Sequence, residues 1–157
     1  MKPSERVQAA LDILGLDIHV VEFEASTATA PEAAAAAGCE LGAIVKSLLF
    51  LIDGQPHLVL VAGDHMADHK KLAARFEVGK KKVKLADADT VLRGTGYEVG
   101  GVPPVGHPAK LHTLVDASLS RFETVWAAAG AHNAVFPIAF SELVEITGGR
   151  VVALTEE

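Results

Sequence analysis

The nine-residue run Ile44-Val45-Lys46-Ser47-Leu48-Leu49-Phe50-Leu51-Ile52 is the most apolar stretch of the chain, and a single lysine interrupts it near its start. A run of this length and β-rich character reads as a buried strand, and it falls well short of the ~20 residues that a membrane-spanning helix needs. An ammonium at the mouth of such a strand is costly unless an anion or a polar cleft receives it, which makes Lys46 a candidate functional residue. A second unusual segment, Gly100-Gly101-Val102-Pro103-Pro104-Val105-Gly106-His107, can complete that cleft. Its glycines free the backbone where its prolines stiffen it.

With 157 residues, half of them hydrophobic and 22% charged, the chain is expected to form one domain over 1–157 without help from metals or disulfides. Cys39 is the lone cysteine and cannot form an internal bridge. Residues 1–20 carry charges throughout and lack a signal-like apolar core, so the expectation is a soluble, cytoplasmic protein with no membrane partner. The net charge of −6 is unevenly placed: from His69 to Lys84, seven cations (Lys70, Lys71, Arg75, Lys80, Lys81, Lys82, Lys84) face only Glu77, giving +6 and leaving −12 for the rest. Such a patch on an acidic body suits local contact with a phosphate backbone; the bland alternative is a solvated lysine-rich helix end and turn.

Apolar spacing predicts an amphipathic helix over Ser4–Leu14 stopping at Gly15, a strand over Ile18–Phe23, and an alanine-rich helix opened by Thr29-Ala30-Pro31-Glu32 and ended by Gly38. Ile44–Ile52 and His57–Ala62 read as a hairpin around the four-residue turn Asp53-Gly54-Gln55-Pro56. Helices are expected over Asp68–Phe76, Asp87–Arg93 and Ser141–Ile146, and strands over Leu111–Asp116, Glu123–Ala127, Ala134–Ala139 and Arg150–Leu154. Hairpins mixed irregularly with helices predict an α+β fold with a mixed, largely antiparallel, curved and barrel-like sheet rather than a doubly wound nucleotide fold. No Gly-x-Gly-x-x-Gly or Walker loop occurs.

Four pieces of the chain, Ser26-Thr27-Ala28-Thr29 with its alanine-rich helix, Ile44-Val45-Lys46-Ser47-Leu48, Gly96-Tyr97-Glu98-Val99-Gly100-Gly101-Val102-Pro103-Pro104-Val105-Gly106 and Gly130-Ala131-His132-Asn133, together resemble the YbaK/ProX family of aminoacyl-tRNA deacylases. That family is related to the editing insertion domain of bacterial prolyl-tRNA synthetases. The resemblance implies free-standing, metal-independent hydrolysis, without a cofactor, of a small amino acid (Ala, Cys, Ser or Thr) wrongly esterified to a tRNA, most typically proline tRNA. Its implied partners are a tRNA acceptor end and a prolyl-tRNA synthetase. An aminoacyl ester is already activated, so water and an oxyanion cradle suffice for it. On this reading Gly100, Gly101 and Val102 offer the cradle, Lys46 fixes the ester by facing a phosphate or hydroxyl of the terminal nucleotide, and Thr27, Thr29, Pro104, His132 and Asn133 contact substrate. Lys70, Lys71, Arg75, Lys80, Lys81, Lys82 and Lys84 contact the tRNA. Ser47 alternates to the other face of a regular strand and is given little weight. Phe23, Tyr97 and Phe136 are candidate walls, and His107 borders the loop.

Alternatives remain open in the sequence. Lys46 can be a snorkelling side chain, the glycine-proline segment an ordinary rigid turn, and the whole chain a non-catalytic tRNA- or synthetase-binding module. His65 and His69 have the spacing of helical zinc ligands, but Met66 stands where a zinc hydrolase of that pattern needs glutamate. Cys39 has no partner histidine identifiable in the sequence. No heptad pattern reveals an oligomeric state.

Overall fold

Most elements start and stop where backbone chemistry dictates. A computed structural model describes residues 1–156. Helix α1 (Pro3–Ile13) opens on proline, whose missing N–H costs nothing at that position, and buries Val7 and Leu11. The expected strand over Ile18–Phe23 shrinks to β1 (Val21–Glu22). Helix α2 (Ala30–Ala37) begins with a reciprocal cap: Thr29 Oγ1 accepts from Glu32 N at 3.3 Å and the Glu32 carboxylate accepts from Thr29 N at 3.2 Å.

Strands β2 (Ile44–Ile52) and β3 (Gln55–Ala62) form the expected hairpin, joined by two residues rather than four. Asp53 and Gly54 both take positive φ, 49° and 82°, as a tight hairpin turn requires. Pro56 is then a strand residue opposite Leu51, and the next strand along begins pairing only at His57, so its missing N–H withdraws no ladder bond. Helix α3 (His69–Phe76) is capped by Asp68 and α4 (Ala88–Thr95) by Asp87. Between them lies β4 (Val83–Leu85), a short strand inside the lysine-rich segment that periodicity does not show. The chain continues through β5 (His112–Asp116), β6 (Thr124–Ala128), β7 (Ala134–Ala139), α5 (Phe140–Thr147) and β8 (Arg150–Val152). β8 stops two residues before its expected end because the Leu154 N–H turns to the Asp116 carboxylate at 2.6 Å.

The strand order is β1-β7-β6-β2-β3-β5-β8, with β4 also paired to β2. This corrects the expectation of a largely antiparallel, barrel-like sheet. β2 with β6, β3 with β5 and β5 with β8 are parallel, joining strands far apart in sequence, whereas the hairpin neighbours are antiparallel. The sheet is open, since its end strands, two and three residues long, do not pair with each other. The fold is therefore α+β with a mixed sheet and five α-helices among the described residues.

Both faces of β2 are covered, which explains its near-continuous apolar character. Val45 and Leu49 pack with Val7, Leu11 and Phe136 on one face, while Phe50 and Ile52 pack with Val59, Leu72 and Leu114 on the other. The outer edge of β2 is divided. It pairs with β6 at Ile44 and Val45 and with β4 from Phe50 to Ile52, so residues 46–48 have no strand beside them on that edge. This break is where the candidate site opens. Among the described residues, no helix is long and apolar enough to cross a membrane.

Candidate active site

A cavity of about 220 Å³ fills the break. Three segments distant in sequence close it: Thr27 to Ala30 with Ala33 of α2, Ile44 to Leu48 of β2, and Val99, Gly100 and Val102 of the glycine-rich loop. Trp126, Ala128 and Val135 complete the wall.

Lys46 and the loop residues Gly100 and Val102 thus line one cavity, and Thr27 and Thr29 join them. The Lys46 ammonium donates a hydrogen bond to the His65 carbonyl in the turn after β3. Burial pushes its pKa below the ordinary lysine value, and the negative charge of Asp64 works in the opposite direction. Two buried hydroxyls at the cavity, Thr27 Oγ1 and Ser47 Oγ, have no hydrogen-bond partner. Two orphaned hydroxyls on residues that line one small space are polar groups still in need of a partner.

The loop comes close to its neighbours because it lacks side chains. A Cβ on Gly100, whose φ is 89°, would stand 2.9 Å from the Ala28 carbonyl oxygen. The Gly101 N–H is already donated to Glu98 O at 2.9 Å, and Gly101 does not line the cavity. Among the described residues, no backbone carbonyl or side chain accepts the N–H of Gly100 or of Val102, so of the three expected donors these two remain without a protein acceptor. Behind the loop, Tyr97, 2% exposed, donates to Gly106 O at 3.3 Å, and His107 Nε2 lies 2.7 Å from Pro103 O. Burial pushes the His107 pKa down, which favours a neutral ring that donates to that carbonyl.

Other expected residues lie outside the cavity. Pro104 faces a separate groove with Ile13, Leu14 and His107. His132 Nε2 lies 2.9 Å from the Val99 carbonyl, and Asn133 donates to Phe23 O at 3.0 Å while its own carbonyl accepts from Phe23 N at 2.8 Å. These two residues fasten the loop and the chain before α2. Phe136 is wholly buried in the core, and neither Phe23 nor Tyr97 lines the cavity. The wall is instead Trp126, a residue that no sequence pattern singles out, and Ser47, which strand alternation argues against. His65 and His69 serve separate contacts: the His65 ring lies 3.0 Å from Thr155 Oγ1 and the His69 ring meets Phe50 edge-on at 5.3 Å. Cys39 packs beside α2, and burial raises its pKa.

The basic residues stand on α3, on the 3-10 turn Lys80–Lys82 and on β4. Lys71 donates to Thr155 O at 2.7 Å and Lys82 sits 3.8 Å from Asp53, whereas Lys70, Arg75, Lys80, Lys81 and Lys84 take no ion-pair partner among the described residues.

The open mixed sheet thus holds a small cavity at the broken edge of β2, between a lysine and a glycine loop. The chain belongs to the aminoacyl-tRNA editing domain family, which it matches over residues 24–146. A solved structure of a candidate trans-editing enzyme for prolyl-tRNA synthetase superposes with a TM-score of 0.93 at 39% identity, covering 100% of this chain and 99% of that one. Protein YwhH of Bacillus subtilis (strain 168) is 38% identical over 133 residues, 84% of this chain and 83% of its own. A candidate Cys-tRNA(Pro)/Cys-tRNA(Cys) deacylase of Enterococcus faecalis (strain ATCC 700802 / V583), EbsC, is 26% identical over 128 residues, 81% of this chain and 77% of its own.

Proposed function

We propose that the protein is a trans-acting, metal-independent aminoacyl-tRNA deacylase that hydrolyses the ester of a small non-cognate amino acid (Ala, Cys, Ser or Thr) on mischarged tRNA, with proline tRNA as the carrier. The observation that carries this reading is the meeting of Lys46, Gly100, Val102 and the orphaned Thr27 and Ser47 hydroxyls around one cavity of about 220 Å³. The candidate trans-editing enzyme and the candidate Cys-tRNA(Pro) deacylase among its relatives support the substrate class.

In this reading the ester carbonyl rests against the N–H groups of Gly100 and Val102. Water attacks the carbonyl carbon, and negative charge collects on the oxygen that those donors face. The acyl C–O bond to the terminal ribose then breaks, the ribose oxygen takes one proton of the attacking water, and the amino acid leaves as its carboxylate, its second water-derived proton passing to solvent. The Lys46 ammonium holds a ribose hydroxyl or the terminal phosphate and so fixes the ester rather than acting as a base. Thr27 and Ser47 hold the α-amino group or the water. Lys70, Lys71, Arg75, Lys80, Lys81, Lys82 and Lys84 hold the tRNA backbone, and a prolyl-tRNA synthetase delivers the mischarged tRNA.

Small substrates differ from one another by about 1–3 kcal/mol per methylene, so discrimination among them is modest while bulky residues are excluded sterically. The test is deacylation of alanyl-, cysteinyl-, seryl- and threonyl-tRNA by wild type and Lys46→Ala. Release of at least one small amino acid with a loss of about a hundredfold in the variant is expected. Tight binding of every tRNA with no release would instead establish the non-catalytic binding module.

A further inference from the structure

The turn that receives Lys46 also carries a carboxylate, and that carboxylate is occupied. Asp64 lies one residue before His65, whose carbonyl accepts the Lys46 ammonium. Arg121, at the end of the 3-10 turn Ala117–Arg121, engages both Asp64 oxygens, Nη2 to Oδ1 at 2.7 Å and Nη1 to Oδ2 at 3.1 Å. The guanidinium is itself fixed, because Nε donates to Ser118 O at 2.6 Å and its carbon sits 5.1 Å from the centre of the Phe122 ring. Gly42 leaves room for this arrangement: a Cβ there would stand 2.8 Å from Arg121 Nη2.

Without the arginine, the nearby carboxylate would compete with a neutral carbonyl for a flexible, half-buried ammonium, and charge-assisted pairing is the stronger bond. Among the described residues, Lys46 makes no ion pair, although its charge senses Asp64. The hydrogen bond and charge of Arg121 hold the Asp64 carboxyl below its ordinary pKa, so it is ionised and available to compete. Resting on the editing reading above, we propose that Arg121 is a positioning residue of the site: by occupying both Asp64 oxygens it prevents Asp64 from capturing Lys46, and so leaves two of the three ammonium donors to the cavity.

The other charged groups nearby do not perform this task. The His65 imidazole lies 3.8 Å from Asp64 Oδ1 and 3.0 Å from Thr155 Oγ1. Glu32, on the α2 side of the cavity, is engaged by Thr29 and Ser26. Glu40 and Asp116 act on Arg121 and reinforce its positive charge.

The experiment compares Arg121→Gln, Asp64→Asn, Arg121→Gln/Asp64→Asn and Arg121→Lys with wild type. It measures kcat and KM for the aminoacyl-tRNA that wild type cleaves, and the titration midpoint of Lys46 followed by NMR, with its resonance assigned by Lys46→Arg. Arg121→Gln is expected to lower kcat about tenfold or more while KM changes little, and to raise the Lys46 midpoint, because an uncovered carboxylate stabilises the ammonium. Adding Asp64→Asn is expected to bring kcat back to within about threefold of wild type and to lower the midpoint. Arg121→Lys, which cannot fork over both oxygens, should fall between. A brace without this role predicts no rescue: a double variant as slow as Arg121→Gln, or an unshifted midpoint in Arg121→Gln, overturns the inference. If wild type cleaves no aminoacyl-tRNA, the editing reading fails on that result, and the midpoint series alone decides the claim about Arg121.

Discussion

An unpartnered buried hydroxyl costs about 1–3 kcal/mol, and Thr27 and Ser47 each keep one at the cavity wall. Retaining them makes sense where a ligand supplies the missing partner. Thr27→Val preserves shape and removes the orphan, so its melting temperature is expected to stay level or rise by a few degrees, at about 2–4 °C per kcal/mol for a chain of this size. Deacylation is expected to fall about tenfold in the same variant. Scanning calorimetry beside single-turnover kinetics checks both, and a stabilised variant with full activity would remove Thr27 from the mechanism. Lys46 makes a second prediction at this scale. Burial lowers its pKa, so the ammonium is present at low pH and lost on the alkaline side earlier than for an ordinary lysine. The alkaline limb of the rate profile therefore falls below the usual lysine range, and Asp64→Asn, which removes the charge that raises the Lys46 pKa, moves that limb to lower pH still. A limb unmoved in Asp64→Asn would show that Lys46 does not set it.

Helix α2 and the glycine loop meet across the cavity, so changes in either element should be felt in both stability and rate. Thr29→Ala removes the cap that starts α2 and is expected to cost about 1 kcal/mol, a fall of roughly 3 °C in melting temperature. Gly100→Ala forces a side chain into φ 89° and against the Ala28 carbonyl, and the strain of about 1–3 kcal/mol should appear as reduced stability together with a large drop in kcat. A Gly100→Ala protein as stable and active as wild type would show that the loop has another route past α2. Features of this local kind are the ones legible in the sequence: the cap at Thr29, the near-continuous apolar run of β2, the hairpin that it begins and the glycine-proline loop. What is not legible depends on pairing between distant strands. Periodicity does not say that β3 and β5 run parallel, nor that β1 shrinks to two residues. Alternation assigns Ser47 to the opposite face from Lys46 and so argues against a shared site. That reasoning holds for a strand flanked on both sides, and β2 has an open edge at residues 46–48, where residues of either face reach the same space. The motif around His132 and Asn133 suggests substrate contacts, whereas their hydrogen bonds run to the backbone of Val99 and Phe23.

At the scale of the whole molecule, the basic helix α3 shares a face of β2 with Lys46. Lys46 alternates in register with Phe50 and Ile52, which pack beneath α3, so the ammonium and the helix carrying Lys70, Lys71 and Arg75 belong to the same side of β2. A tRNA whose acceptor end enters the cavity would therefore lay its phosphates toward the basic segment, while the acidic remainder of the chain limits unspecific contact. The fold also separates cations that are already engaged from those that are free. Lys71 and Lys82 have protein partners, whereas Lys80, Lys81 and Lys84 have no ion pair among the described residues. The triple substitution Lys80→Gln/Lys81→Gln/Lys84→Gln is expected to weaken tRNA binding and to flatten the log–log dependence of affinity on salt by about two to three units, near one for each phosphate no longer neutralised. Lys71→Gln/Lys82→Gln should change that slope less. On the proposed reading, in which these side chains hold the carrier and not the ester, kcat at saturating tRNA should stay close to wild type in both variants. Filter binding between about 50 and 200 mM salt separates the cases. An unchanged slope in the triple variant would make the lysines a solvated surface and return the task of holding tRNA to the rim of the cavity itself.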